Sequence, residues 1–369
     1  MEKVKLGDVT INLDSKRKPL NNQDRKKISA KKLYPYCGAN KIMDYVDEYI
    51  FDEEIICIAE DGGKWGKNEI CSYIMNERCW VNNHVHVLKC NEKININYLK
   101  YWLDFNDLNY LITGAIVRKL TQKALCNIEI ELPDIKKQIS IAKKLDKVQE
   151  IIDLRKKQIE ELDELIKSQF VEMFGKEEYP RKTLNEVTNK ITDGSHNPPS
   201  GIEENEGYMM LSSQNIINNS INYDNVRFLK KEDFEKENLR TNLNRGDVLL
   251  TIVGTVGRTA IITDETNITL QRSVAVLKPT EEINSIYLVG VINSDDVIRQ
   301  LTKGAKGVAQ KGIYLNDIKK ILIPVPPIEL QNKFSEIVKQ IDKQKIETQK
   351  NLEEMQELQE SLMNKYFGG

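Results

Sequence analysis

A long-period internal repeat constrains this chain more than any local motif does. Placing Leu132-Pro133 over Val325-Pro326 carries Gln138 onto Gln331 and Phe174-Gly175 onto Phe367-Gly368 without a gap, an offset of 193 residues from Pro133 to Pro326. Upstream, with short gaps, Lys5-Leu6-Gly7-Asp8-Val9 matches Thr183-Leu184-Asn185-Glu186-Val187, the Glu54-to-Ile58 run matches Asp247-to-Thr251, and Val85-His86-Val87-Leu88-Lys89 matches Val274-Ala275-Val276-Leu277-Lys278. The chain must therefore build one architecture twice. Its 369 residues also exceed one ordinary core of roughly 100–150.

Each repeat ends in a long helix. Pro133-Asp134 and Pro326-Pro327 supply start signals, because proline suits the first turn and Asp caps free N–H groups, and Phe-Gly closes each helix. Ile141, Leu145, Val148, Ile152, Arg155, Ile159, Leu162, Ile166, Gln169 and Met173 recur at alternating four and three spacing, which is a coiled-coil seam. The partner seam is Phe334, Val338, Ile341, Lys345, Thr348, Leu352, Met355, Gln359, Leu362 and Tyr366. Both carry polar residues near the middle, which fix register at some cost in stability. A helix from Lys136 to Phe174 is roughly 58 Å long.

The expectation is an α+β protein. Two similar mixed α/β domains, residues 1–134 and 176–326, are each followed by a long helix, 135–175 and 327–369, and the helices form an antiparallel coiled coil about a pseudo-two-fold axis. A parallel pair, which the sequence leaves open, would place both globular segments at one end. Within those segments Ile55–Ala59, Val248–Val253 and Ser273–Leu277 read as buried strands, and Tyr98–Leu103 and Ser285–Ile292 as short helices.

Lys plus Arg number 54 against 56 Asp plus Glu, which counts against a nonspecific polyanion binder. Positive charge is local, in Lys16-Arg17-Lys18, Arg25-Lys26-Lys27 and Lys31-Lys32. The six cysteines all lie in the first half without a Cys-x-x-Cys pair, and no apolar signal segment opens the chain, so a reducing cytoplasm is expected. No apolar run approaches the roughly 18 residues of a membrane span.

Catalytic motifs fail on inspection. Asn197-Pro198-Pro199-Ser200 lacks the aromatic residue that follows Asx-Pro-Pro in amino-methyltransferases, and no Gly-rich strand-to-helix turn precedes it. Gly254-Thr255-Val256-Gly257-Arg258-Thr259 lacks the lysine of a phosphate-binding loop and reads as a turn. Cys79, His84, His86 and Cys90 match no common zinc spacing, so no metal site is expected.

Two globular segments each followed by a heptad helix, together with Glu131-Leu132-Pro133…Gln138, Ile323-Pro324-Val325-Pro326-Pro327-Ile328-Glu329-Leu330-Gln331 and the 353–367 run, resemble type I restriction-modification specificity subunits. Tyr34-Pro35-Tyr36-Cys37-Gly38-Ala39-Asn40, Ile58-Ala59-Glu60-Asp61-Gly62-Gly63 and Trp80-Val81-Asn82-Asn83-His84 resemble one target-recognition domain of that family. The resemblance implies a non-catalytic subunit without a cofactor of its own. Its two target-recognition domains each read half of a split site on double-stranded DNA, and the helices set the unread spacer. Two modification subunits using S-adenosylmethionine and two restriction subunits using ATP and Mg are the implied partners, with no membrane.

Base edges are read by polar side chains in the major groove, while Lys, Arg and backbone N–H groups fix register on phosphates. The candidates are Lys64, Trp65, Lys67, Asn82, Asn83 and His84 in the first domain, and Ser195, His196, Ser213, Gln214, Asn215, Arg258, Gln271 and Arg272 in the second. Arg118, Lys119, Lys303, Lys306 and Gln310 are candidate phosphate contacts. The competing expectation is a coiled-coil scaffold that recruits proteins without reading DNA.

Overall fold

The computed structural model describes residues 2–114, 116–203, 207–263, 267–304 and 312–368. They form two compact units, Met1–Lys157 with Gln349–Gly369, and Gln158–Thr348.

In unit 1 a four-stranded antiparallel sheet has the order Thr10–Asn12, Val85–Cys90, Ile55–Ala59, Ser72–Met75. A three-stranded sheet pairs Tyr34–Cys37 antiparallel with Ile42–Val46 and parallel with Trp80–Val81. Every residue of Ile55–Ala59 is buried, because both faces of that strand are covered. Ile56 and Ile58 pack with Leu99 and Leu103 of the helix Ile96–Phe105, and Ile55 and Cys57 pack with Cys37, Val81 and Val87.

Unit 2 repeats this plan. Its sheets run Thr188–Asp193, Val274–Pro279, Val248–Thr251, Thr259–Ile261, and Arg227–Phe228, Met209–Leu211, Ile268–Leu270. Val248 and Leu250 pack with Leu288 and Ile292 of the helix Ser285–Ile292, while Leu249 packs with Leu211 and Leu270. Strand register corrects one detail of the repeat. Ile56 pairs with Leu88 and Val248 with Leu277, so Ile56 rather than Ile55 is the counterpart of Val248. The expected match of Glu54–Ile58 with Asp247–Thr251 is therefore one residue out, and a one-residue slip exchanges the two faces of a strand.

The long helices span Ile135–Phe174 and Ile328–Phe367, 40 residues each, or about 60 Å. Asp134 caps the first by accepting from the Lys137 amide at 2.9 Å. Within each unit the two helices run antiparallel. In unit 1, Ile141 and Leu145 share a core with Leu362 and Tyr366, and Gln359 donates to Gln149 at 2.8 Å. In unit 2, Ile166 packs in the core that holds Phe334 and Val338, and Lys345 reaches Asp163 at 2.6 Å. Leu145, Val148, Ile152, Leu162, Val338, Ile341 and Leu352 are buried, and Ile159, Ile166, Met355 and Leu362 half-buried.

Two duplicated devices tie helix to domain. Gln138 is buried, accepts from the Asn95 amide and donates to the Lys93 and Pro133 carbonyls. Gln331 makes the equivalent three bonds, to Asn284, Glu282 and Pro326. Each helix end then closes the unit built on the other repeat. Phe367 lies edge-on to Tyr98 at 5.2 Å, and Phe174 edge-on to Tyr287 at 4.8 Å.

Candidate nucleic-acid interface

In unit 1 the polar candidates gather where the strands end. Asp61, just beyond Ile55–Ala59, pairs through its backbone with Lys119, and its carboxylate holds His84 Nδ1 at 2.8 Å. Asn82 accepts from the His84 amide at 2.8 Å, and Asn40 donates to the Gly62 carbonyl at 3.0 Å. The result is an exposed edge carrying Asn83 and His84, with Lys64 and Lys67 also exposed on this unit. Lys67 lies 5.0 Å over the Phe105 ring.

Trp65 is a correction. It is 2% exposed, and its Nε1 donates to the Ala59 carbonyl at 3.2 Å, so it fills the core and offers DNA no face. Asn82 is also buried, and it orients His84 from within.

Beneath this edge lies a buried ion cluster. His86, 1% exposed, has Nδ1 2.6 Å from Asp14 and Nε2 2.8 Å from the Leu120 carbonyl. Glu60 is paired with Arg17 and, at 2.6 Å, with Lys119. Ligand-type atoms of Asp14, Glu60 and His86 lie within 4.8 Å of one another. The donor set nevertheless does not suit a metal ion, because Arg17 and Lys119 already occupy the carboxylates with positive charge. Nor does the fold assemble Cys79, His84, His86 and Cys90. Cys79 is buried in the strand core, His84 is exposed, and His86 is engaged by Asp14 and Leu120.

Burial opposes ionisation of Asp14 and Glu60. The His86 ring and Val87 amide at Asp14, and Lys119 and Arg17 at Glu60, outweigh it and hold both carboxyls below their ordinary values of 3.8 and 4.5. Lowered folded-state values mean stability that is fully present above about pH 5 and is lost as pH falls through the lowered range. Urea midpoints of unit 1 are expected to fall progressively below about pH 4.5, with a shallower acid slope in Arg17→Gln. Equal slopes in the two proteins would remove the cluster as the source.

Unit 2 presents a polar cleft of about 370 Å³ whose lining includes Ser213, Gln214, Arg227, Gly254, Gln271 and Ser273. Next to Ser195, which bridges to Gln271 of the cleft, the backbone requires glycine. A Cβ on Gly194 would lie 1.9 Å from the Leu270 carbonyl, where Ser195 bonds at 2.7 Å. Gln214, Arg258, Arg272 and His196 are exposed, and Ser213 and Gln271 half-buried. His196 Nε2 contacts Asp193 at 2.8 Å, and Asp193 also holds Arg240. Ser195 and Asn215 are buried. Asn215 is consumed locally, accepting from the Ser212 amide and donating to the Asn222 and Asp224 carbonyls, so its amide is a loop fastener rather than an exposed contact. The Gly254–Gly257 segment is a turn, with φ of +84° and +101° at its glycines. Lys303 is exposed at the end of the helix Asp295–Gly304, whereas Lys306 and Gln310 lie outside the described residues.

The two polar edges occupy equivalent register. Tyr36 and Cys37 pair with Trp80 and Val81 as Met210 and Leu211 pair with Thr269 and Leu270. The next amides repeat the match, Asn82 to the Cys37 carbonyl and Gln271 to the Leu211 carbonyl. Asn82-Asn83-His84 thus stands where Gln271-Arg272-Ser273 stands in unit 2. Asp61, Asp193 and Arg227 were missed from the sequence. The only signal for Asp61 was a carboxylate between a buried apolar strand and Gly62-Gly63.

The family model for the type I restriction modification DNA specificity domain matches residues 1–164 and again 176–358. A Haemophilus influenzae protein provisionally named a type I restriction enzyme specificity subunit is 27% identical, over 90% of this chain and 85% of the relative. The MjaVIII specificity subunit of Methanocaldococcus jannaschii is 25% identical, over 91% of this chain and 85% of its own length. In fold, the crystal structure of a type I restriction-modification S subunit from M. genitalium covers 99% of this chain and 95% of its own, with a TM-score of 0.61 and 14% identity. Among the described residues no helix is long and apolar enough to cross a membrane. With both halves matched by one specificity-domain model, the chain belongs to the type I restriction-modification specificity subunits, which are non-catalytic.

Proposed function

We propose that this chain reads a bipartite site on double-stranded DNA, one half through each unit, and docks modification and restriction subunits along its helices. The observation that carries the reading is the pair of polar edges at equivalent register with different side chains, Asn83 and His84 in one unit, Arg272 and Ser273 in the other. A duplicated scaffold with unlike reading groups suits two unlike half-sites. Arg favours guanine edges and Asn or Gln adenine edges, each good bidentate contact discriminating by about 1–3 kcal/mol. In this reading S-adenosylmethionine, ATP and Mg belong to the partner subunits. Exposed apolar residues recur along the helices, Ile151, Leu154, Leu165 and Val171 on the first and Ile346 and Leu358 on the second, and support protein docking there.

Co-expression with the cognate modification subunit, followed by genome-wide mapping of methylated adenines, tests this. A single split motif that vanishes when the chain is omitted is expected. A motif altered in only one half by Arg272→Ala, together with one altered in only the other half by His84→Ala, would assign each half to a unit. Methylation that proceeds normally without the chain would sink the reading and favour a scaffold.

A further inference from the structure

Apart from its polar edge, unit 1 carries strongly exposed apolar side chains, in and just before the hairpin 112–120, that folding does not use. Ile116 is 97% exposed, Val117 62% and Tyr110 75%. Single exposed apolar residues are ordinary, but Ile116 and Val117 are adjacent at the turn of one hairpin, and contiguous exposed apolar surface marks a contact.

The tip has a fixed base. Gly114, at φ +96°, sits where a Cβ would lie 2.1 Å from the Val117 carbonyl, so the chain reverses tightly between Ile112–Thr113 and Lys119–Leu120. Leu120 is fully buried. Its amide donates to the Glu60 carbonyl, and its own carbonyl accepts from His86 Nε2, both at 2.8 Å. Lys119 pairs with Asp61 through the backbone, and its ammonium rests on Glu60. The buried ion cluster therefore anchors this hairpin to the edge that carries His84.

Chemistry at the tip is mixed in a way that fits one partner. Arg118 donates to Asn109 at 2.6 Å and, among the described residues, makes no ion pair. An apolar pair gains nothing from phosphate, and a guanidinium gains little from an apolar protein surface. DNA offers a phosphate beside apolar sugar and base faces within a few ångströms, and apolar side chains next to basic ones are how minor-groove proteins loosen base steps.

We propose that Ile116 and Val117 form an apolar wedge that enters the minor groove beside the half-site met by unit 1 and unstacks one base step, with Arg118 on the adjoining phosphate. This rests on the DNA-reading function proposed above.

The test uses the full chain assembled with its modification subunits, and duplexes carrying the mapped site with 2-aminopurine tiled through and beside both half-sites. Selective binding of the mapped site by the native complex is measured first, and its absence would overturn both the wedge and the broader reading. With selectivity established, and setting aside the target adenines that the modification subunits themselves flip out, one position is expected to brighten several-fold on binding. The double variant Ile116→Ser/Val117→Ser should lose that signal and bind about 10-fold more weakly at unchanged salt slope. Arg118→Gln should keep the brightening and reduce the salt slope by about one. The wedge alone is overturned if no position brightens, if the double variant binds within about two-fold of native, or if its loss tracks weaker subunit assembly. It is also overturned if replacing thymine by deoxyuridine reproduces the loss, which would place the tip on a major-groove methyl group.

Discussion

Replacing Gln331 by leucine is expected to destabilise unit 2 by about 3–5 kcal/mol, a fall on the order of 10 °C in its melting transition. The side chain is fully buried and makes three hydrogen bonds at once. It accepts from the Asn284 amide at 2.8 Å and donates to Glu282 at 3.0 Å and Pro326 at 2.8 Å. Leucine recovers the apolar burial but leaves one N–H and two carbonyls without partners, at about 1–3 kcal/mol each. Those groups also join the cap of the helix Ser285–Ile292 to the start of the second long helix, so the loss falls on the joint between domain and arm. Gln138→Leu should do the same to unit 1, where the bonds to Asn95, Lys93 and Pro133 measure 2.9–3.0 Å. Calorimetry of each variant checks this. A loss below about 1 kcal/mol would mean that solvent reaches the freed groups and that the duplicated glutamine is not a structural lock.

What could be read from the sequence, and what could not, follows from how local each signal is. The long helices were legible because alternating four and three spacing is written within one element, and Asp134 and the Phe-Gly ends mark their limits. Strand existence was legible for the same reason. Strand register was not, since Ile55–Ala59 and Val248–Thr251 are buried on both faces and carry no alternation to mark which side chain points where. Trp65 was misplaced because Gly63-Lys64-Trp65-Gly66 looks like an exposed turn, and only the approach of the Ala59 carbonyl to the indole folds the ring inward. The cluster of Asp14, Arg17, Glu60, His86 and Lys119 draws on segments more than 100 residues apart, so no spacing rule could find it. His84 and His86 stand only two residues apart in the sequence, yet they serve different sites. The first precedes Val85–Cys90 and reaches Asp61, while the second lies inside that strand and faces Asp14.

On the proposed bipartite reading, inserting seven residues after Lys157 and seven after Thr348 is expected to lengthen the unread spacer of the DNA site by about three base pairs. A heptad preserves the seam, because two turns of helix return the apolar stripe to within about 20° of its starting direction. Ile152 and Leu162 on one helix, and Ile341 and Leu352 on the other, are buried on either side of the insertion points, so both seams continue through the added turns. Each helix gains about 10 Å at about 1.5 Å per residue, and DNA rises about 3.4 Å per base pair. Length is not the only constraint, since three base pairs also rotate the duplex by roughly 100° at about 10.5 base pairs per turn. The new site should therefore be bound more weakly than the native one, in proportion to the twist that DNA and helices must share. Mapping methylated adenines with the lengthened chain decides the matter. The half-site sequences should stay as they are, because the residues on the two polar edges are untouched, while the number of bases between them grows. An unchanged spacer, with both halves still read, would mean that the helices hold the subunit together without measuring the DNA.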